Sequence, residues 1–165
     1  GGYIVMEVSK RLHFIVITSI FFGLILNIIE IFLFNQFAKP PIVLMILIYW
    51  TLAYPNVVSL GYAFIVGIIM DIVQFMPLGH SALSFSLTIF LTIQFHPQIR
   101  LHSYINKMIS ILFLLVPYFI ISTWLINFYG MSLNINNIVF SLIASIVLWP
   151  IIFVCLRFLR IKYVY

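Results

Sequence analysis

The sequence predicts an all-α fold, a polytopic membrane protein in which six transmembrane helices form one bundle. The first observation is composition: 65% of the residues are hydrophobic, only 7% are charged, and the mean hydropathy is +1.26. Soluble domains carry about 25% charged residues. The second is that the apolar residues form continuous runs, whereas a membrane β-barrel alternates apolar and polar residues over strands of about ten residues.

The length of 165 residues indicates one transmembrane domain covering the whole chain. Residues 1–11 are interpreted as a tag remnant joined to a cytoplasmic N-terminal tail. The net charge of +5 does not indicate nucleic-acid binding, because the basic residues lie at the ends of hydrophobic runs, where membrane topology places them. Cys155 is the single cysteine, which excludes an intramolecular disulfide, and we expect it to be a small packing residue.

Six apolar runs are predicted as spans. The first, at about 12–34, is long enough to cross a hydrocarbon core of about 30 Å. The others are 42–54, 60–73, 82–95, 108–129 and 138–159.

The stretch 40–83 is the one around which the other runs are arranged. Pro40 starts its first helix, and Pro55 breaks the stretch into two short helices, which we predict to form a tight hairpin. Tyr49 and Trp50 fit an interfacial aromatic anchor near that turn.

Small residues line one face of the third run. Ala63, Gly67 and Asp71 are four apart, so this face lets another helix approach closely and has a carboxyl group at its end. Asp71 is the only Asp in the chain. We expect it either to point into the bundle, hydrogen-bonded or protonated, or to cap the turn that follows, where Leu78 and Gly79 lie.

The later runs carry fewer chemical signals. The fourth is rich in Ser and Thr, whose hydroxyls are expected to bond to their own helix. The polar segment 96–107 is expected to lie in water. Pro117 and Pro150 predict kinks in the last two runs.

Orientation follows from the basic residues. With six spans, both termini and the loop after the fourth span share one side, which then carries seven basic residues: Lys10, Arg11, Arg100, Lys107, Arg157, Arg160 and Lys162. Lys39 alone lies opposite. Both termini are therefore predicted to be cytoplasmic.

No catalytic residue set is recognisable. The three acidic residues lie on separate segments, and the histidines lack the spacing of metal ligands. The sequence therefore predicts a protein that is not an enzyme and that holds no metal and no cofactor.

The residues of the stretch 40–83 and of the last apolar run resemble the MreD family. This family is the membrane component of the bacterial rod-shape machinery, or elongasome. The matching positions are Pro40, Tyr49, Trp50, Pro55, Gly61, Gly67, Asp71, Leu78, Gly79, Trp149, Pro150 and Arg157.

This resemblance implies an inner-membrane scaffold protein that supports lateral peptidoglycan synthesis and cell shape. The implied partner is MreC, a single-span protein with a periplasmic domain, and through it MreB, RodA and the elongation transpeptidase. The face of Ala63, Gly67 and Asp71, with Leu78 and Gly79, is the predicted packing site for a partner helix. The resemblance also implies a fold like that of the S components of energy-coupling-factor transporters, so a ligand-binding membrane subunit is the alternative.

Overall fold

The computed structural model describes residues 2–33, 40–101, 103–131 and 134–164. These residues form six α-helices: α1 (Gly2–Leu33), α2 (Ile42–Ala53), α3 (Leu60–Val73), α4 (His80–Arg100), α5 (Tyr104–Phe128) and α6 (Ile135–Tyr163). The all-helical fold class is confirmed. Lys39, which entered the prediction of orientation, lies outside the described residues.

Three of the helices are long and apolar enough to cross a membrane: α1, residues 105–128 of α5, and α6. Their surfaces are mostly uncovered, since only 28%, 28% and 17% of their most apolar windows are buried. These helices therefore turn broad apolar faces outward, as helices do whose solvent is lipid.

The short helix α2 lies at the centre of the bundle. Every residue from Ile42 to Leu52 is buried, because α1, α4 and α6 surround the helix. At 12 residues, α2 measures about 18 Å at about 1.5 Å per residue. A helix that is covered by protein on all sides is expected to be apolar around its whole circumference. The sequence of α2 has this property.

The break at Pro55 is confirmed, but the predicted hairpin is not formed. The amides of Val57 and Val58 both donate to the carbonyl of Tyr54, which closes the turn between α2 and α3. In the described part of the chain, however, α3 packs mainly on α4, while α2 packs on α1 and α4. The two helices joined by the turn hardly contact each other, because α4 offers α3 a closer-fitting surface.

Several helix ends differ from the prediction. Residues 2–11, interpreted as a tail, continue α1, and residues 96–100 of the polar segment continue α4 through Pro97. The side chain of Arg11 pairs with Glu7 at 2.6 Å, one helical turn away, which favours helix in this polar stretch. The contribution of such an exposed pair is small.

Candidate functional site

Asp71 caps the helix that follows its own. The residue lies in the last turn of α3 and is fully buried. One carboxylate oxygen, Oδ1, accepts from the backbone N–H of Ser81 at 2.8 Å, and Oδ2 accepts from that of Gly79 at 3.0 Å. The first N–H groups of a helix have no partners within the helix, and the N-terminal end of its dipole favours negative charge. Of the alternatives left open by the sequence, the structure therefore shows a buried cap of the following turn.

Gly67 brings α3 and α4 together. A Cβ at this position would lie 2.5 Å from the Cα of Ala82 and 2.8 Å from the carbonyl carbon of Ser81, closer than real Cβ atoms come. Ala63, one turn earlier, is also fully buried. The absence of side-chain bulk at Gly67 thus lets the backbone of α4 come close enough for Asp71 to reach its first turn.

The face of α3 that carries the small residues is consequently covered by another helix of the same chain. The sequence predicted that Ala63, Gly67 and Asp71 would receive a partner helix, whereas the structure places α4 on this face. The physical reason is that α4 supplies both a close-packing backbone and two N–H donors for the carboxylate. This face is therefore not free to receive a further helix.

A different surface, exposed and apolar, is the capped turn, which we define as residues 74–79. Phe75 is 95% exposed and Leu78 70% exposed, so two large apolar side chains project from it. Phe75 has a φ of 55°, a left-handed conformation that is rare for a bulky residue. The N–H of Met76 donates to the carbonyl of Asp71 at 3.0 Å, so the same residue holds both the turn and the start of α4.

His80, the first residue of α4, is buried and directly follows the capped turn in the chain. Nε2 of His80 is 3.2 Å from Oγ of Ser122 on α5, and its Nδ1 has no hydrogen-bond partner among the described residues. A Ser–His–Asp relay needs the carboxylate on the second ring nitrogen, whereas Asp71 is bonded to the backbone of α4. The contact therefore links α4 to α5. Sequence reasoning missed it because the two residues are 42 positions apart and neither carries a motif.

The predicted aromatic anchor is wrong. Tyr49 and Trp50 are buried at the end of α2: the Tyr49 ring meets Phe153 of α6 at 5.5 Å between centroids, and the guanidinium carbon of Arg160 lies 5.7 Å from the Tyr49 centroid. Aromatic residues at the end of a membrane helix suit an interface, but α6 covers this end of α2. The Trp149 side chain is also buried in the same core.

The remaining motif residues are backbone or surface features. Pro40 is buried just before α2, Pro55 lies in the turn before α3, Pro150 is inside α6, and Gly61 and Arg157 are exposed. Cys155 is also exposed, so the expectation of a packing residue is wrong for it. Within the described ranges, no three His, Cys, Asp or Glu side chains come together as a metal site would need.

Comparison with known proteins identifies a family and a relative of the sequence. The family model described as "rod shape-determining protein MreD" matches residues 9–159. The rod shape-determining protein MreD of Haemophilus influenzae is 29% identical over 129 residues, which cover 77% of this chain and 78% of that protein. No solved structure matches the chain significantly.

Proposed function

Because this chain belongs to the MreD family of rod shape-determining proteins, we propose that it is the inner-membrane scaffold subunit of the rod-shape complex and binds MreC. Through MreC it joins MreB, RodA and the elongation transpeptidase to lateral peptidoglycan synthesis. The role is structural, and the proposal gives the protein no enzymatic step and no cofactor.

The proposed orientation is multi-pass with both termini cytoplasmic. It is supported by the basic residues at the start of α1, at the α4–α5 connection and at the end of α6. In this orientation the capped turn lies at the periplasmic end of the bundle, next to the side on which MreC has its folded domain.

The observation that carries the proposal is the pair of exposed apolar side chains, Phe75 and Leu78, on a turn fixed by a buried carboxylate. A large apolar side chain held on a rigid backbone loses little conformational freedom on binding, which makes it an effective anchor for a partner. The unusual φ of Phe75 costs free energy of the order of 1 kcal/mol or more, and such conformations concentrate at functional sites. We therefore place the MreC contact at the capped turn.

The test is co-isolation of MreC with a tagged chain carrying Phe75→Ala and Leu78→Ala. Truncating two anchors is expected to lower the recovered MreC at least tenfold, since each anchor contributes about 1 kcal/mol or more. The matched control is Leu101→Ala, which truncates an 88% exposed leucine on the connection between α4 and α5, at the opposite end of α4. The proposal fails if the double variant recovers as much MreC as the control does.

Asp71 gives the alternative of a ligand-binding subunit no support. Both oxygens of Asp71, the residue that suggested a ligand, accept hydrogen bonds from backbone N–H groups. The likeness to the S components of energy-coupling-factor transporters stays a prediction from the resemblance.

A further inference from the structure

A long open groove runs between α1 and α6, with α2 as its floor. Its volume is about 1140 Å³, above the roughly 300–1,000 Å³ of sites for drug-sized ligands. On α1 its lining extends from Lys10 to Leu26, which spans about 24 Å at about 1.5 Å per residue. Ile42 and Ile46 form the floor, and the far wall runs from Leu148 to Tyr163 on α6. The groove is therefore long, and it is apolar along most of its length.

The two walls bring basic residues to the same end of this groove. Gly23 of α1 lies against Val43 and Ile46 in the first half of α2, and the ring of His13 stacks on that of Tyr62, which follows the end of α2. The earlier residues of α1 therefore extend toward the end of α2. Arg160 of α6 lies over Tyr49 near that end of α2. The start of α1 and the last turn of α6 are therefore neighbours.

Lys10, Arg11 and Lys162 line the groove at this end. Arg11 is paired with Glu7, whereas within the described ranges neither lysine has an ion-pair partner. The ammonium of Lys162 lies 5.4 Å from the ring centroid of Tyr163, which also lines the groove, and 5.5 Å from that of Phe158, which does not. The groove lining includes no Asp or Glu. An occupant that complements the mouth must carry negative charge there.

We propose that this basic-mouthed groove binds one anionic phospholipid, with its phosphate between Lys10 and Lys162 and its acyl chains along the apolar walls. An apolar body with cations confined to one end complements an amphiphile with an anionic head. A second transmembrane helix would match the walls but would not require two cations at one mouth. Basic pockets between helices on the cytoplasmic side, where the leaflet is anionic, bind phospholipid headgroups in this way.

The site is independent of the MreC contact. The capped turn starts from the end of α3 that lies near Asn27, because the side-chain amide of Gln74 donates to Asn27 Oδ1 at 3.3 Å. Asn27 is 17 positions along α1 from Lys10, or about 26 Å. The lipid site and the MreC contact can therefore be tested separately, and failure of one proposal does not contradict the other.

The experiment is native mass spectrometry of the purified full chain in a neutral detergent. It uses equimolar phosphatidylglycerol and phosphatidylcholine with identical acyl chains. The expected result is one tightly bound phosphatidylglycerol, preferred over phosphatidylcholine. In the variant Lys10→Gln with Lys162→Gln the preference should fall roughly tenfold or more, since each cation near a lipid phosphate contributes about fivefold. The control Arg100→Gln with Lys107→Gln removes the same charge away from the groove and should keep the preference.

A second variant separates shape from charge. Thr18 is exposed on the groove wall of α1, so Thr18→Trp obstructs the groove without changing its charge. It should remove the bound phosphatidylglycerol while leaving the thermal unfolding temperature close to that of the parent. In the parent, bound phosphatidylglycerol should also slow the reaction of Cys155, which lines the groove, with a maleimide.

Three results would overturn the proposal. The first is equal binding of the two lipids, and the second is a preference that survives the Lys10 and Lys162 changes. The third is cross-linking of Cys155 to a protein partner's membrane helix in the assembled complex with no lipid retained, which would make the groove a helix-binding site.

Discussion

At the scale of single residues, Asp71 and Gly67 act together. Gly67 lets the backbone of α4 approach, and Asp71 then accepts from two of the N–H groups at the start of that helix. Neither residue could do this alone, because a carboxylate without donors is costly to bury and the donors are in reach only at this separation. The sequence located both residues, but it could not show that their partner is the chain's own α4.

Replacing Asp71 by Ala should destabilise the protein by about 3 kcal/mol, because two backbone N–H groups, one fully buried, lose their acceptor. The measurement is thermal unfolding of the purified protein in detergent. Asn134 is the matched control, since its side chain caps α6 from an exposed position by accepting from the N–H of Asn136. Asn134→Ala should cost only about 1 kcal/mol or less. Equal losses in the two variants would show that the buried Asp71 cap contributes no more to stability than an exposed cap does.

Replacing Gly67 by Ala tests the close approach of the helices. The added methyl group would meet the backbone of α4, which cannot rotate away, so a loss of about 1–3 kcal/mol is expected. A Cβ at Gly61, six positions earlier on the same helix, would have nothing within 4 Å. Gly61→Ala should therefore be neutral or stabilising by up to about 1 kcal/mol, because alanine favours helix. Tolerance of Gly67→Ala in the same unfolding assay would mean that α3 and α4 are farther apart than described.

At the scale of elements, α4 is the helix that ties the bundle together, since it packs against α2, α3 and α5. Its buried hydroxyls mostly bond within the helix: Thr88 donates to the carbonyl of Ser84 and Thr92 to that of Thr88, each at 2.8 Å. The expectation that these hydroxyls satisfy themselves is confirmed for these residues. Links to other elements come instead from Asp71 and from the contact between His80 and Ser122.

This division predicts losses of different size for two hydroxyl deletions. Thr88→Val keeps the shape and removes a bond inside one helix, so the free energy of unfolding should change by less than about 1 kcal/mol. Ser122→Ala removes the bond between α4 and α5 and leaves His80 without that partner, which should cost about 1–2 kcal/mol. A larger loss for Thr88→Val than for Ser122→Ala would contradict the assignment of α4 contacts.

The elements also show where sequence reasoning succeeds. The break at Pro55 is local chemistry, because proline lacks an N–H and clashes with the preceding turn, and it was predicted correctly. Burial of Tyr49 and Trp50 and the separation of α2 from α3 depend on which helices surround α2. Those contacts join residues far apart in the chain, and a uniformly apolar helix such as α2 carries no pattern that indicates its neighbours.

At the scale of the whole molecule, α3, α4 and α5 form the most closely packed unit, α2 packs equally on α4 and α1, and α6 is attached most loosely. The α3–α5 unit fixes the capped turn, and the sparse contact between α1 and α6 leaves the groove with the basic mouth open. Composition was sufficient to predict the membrane and the helical class. The groove was not predictable, because it forms where α1 and α6 fail to pack closely, which no single segment encodes.

The most direct test of the scaffold role is photo-cross-linking in living cells, with a photoreactive amino acid at Leu78. Leu78 lies on the capped turn and is well exposed, so the account predicts an adduct with MreC from this position. The same reagent at Leu101, which is also well exposed but lies beyond the far end of α4, should give none. Absence of an MreC adduct at Leu78, or equal adducts at both positions, would contradict the account.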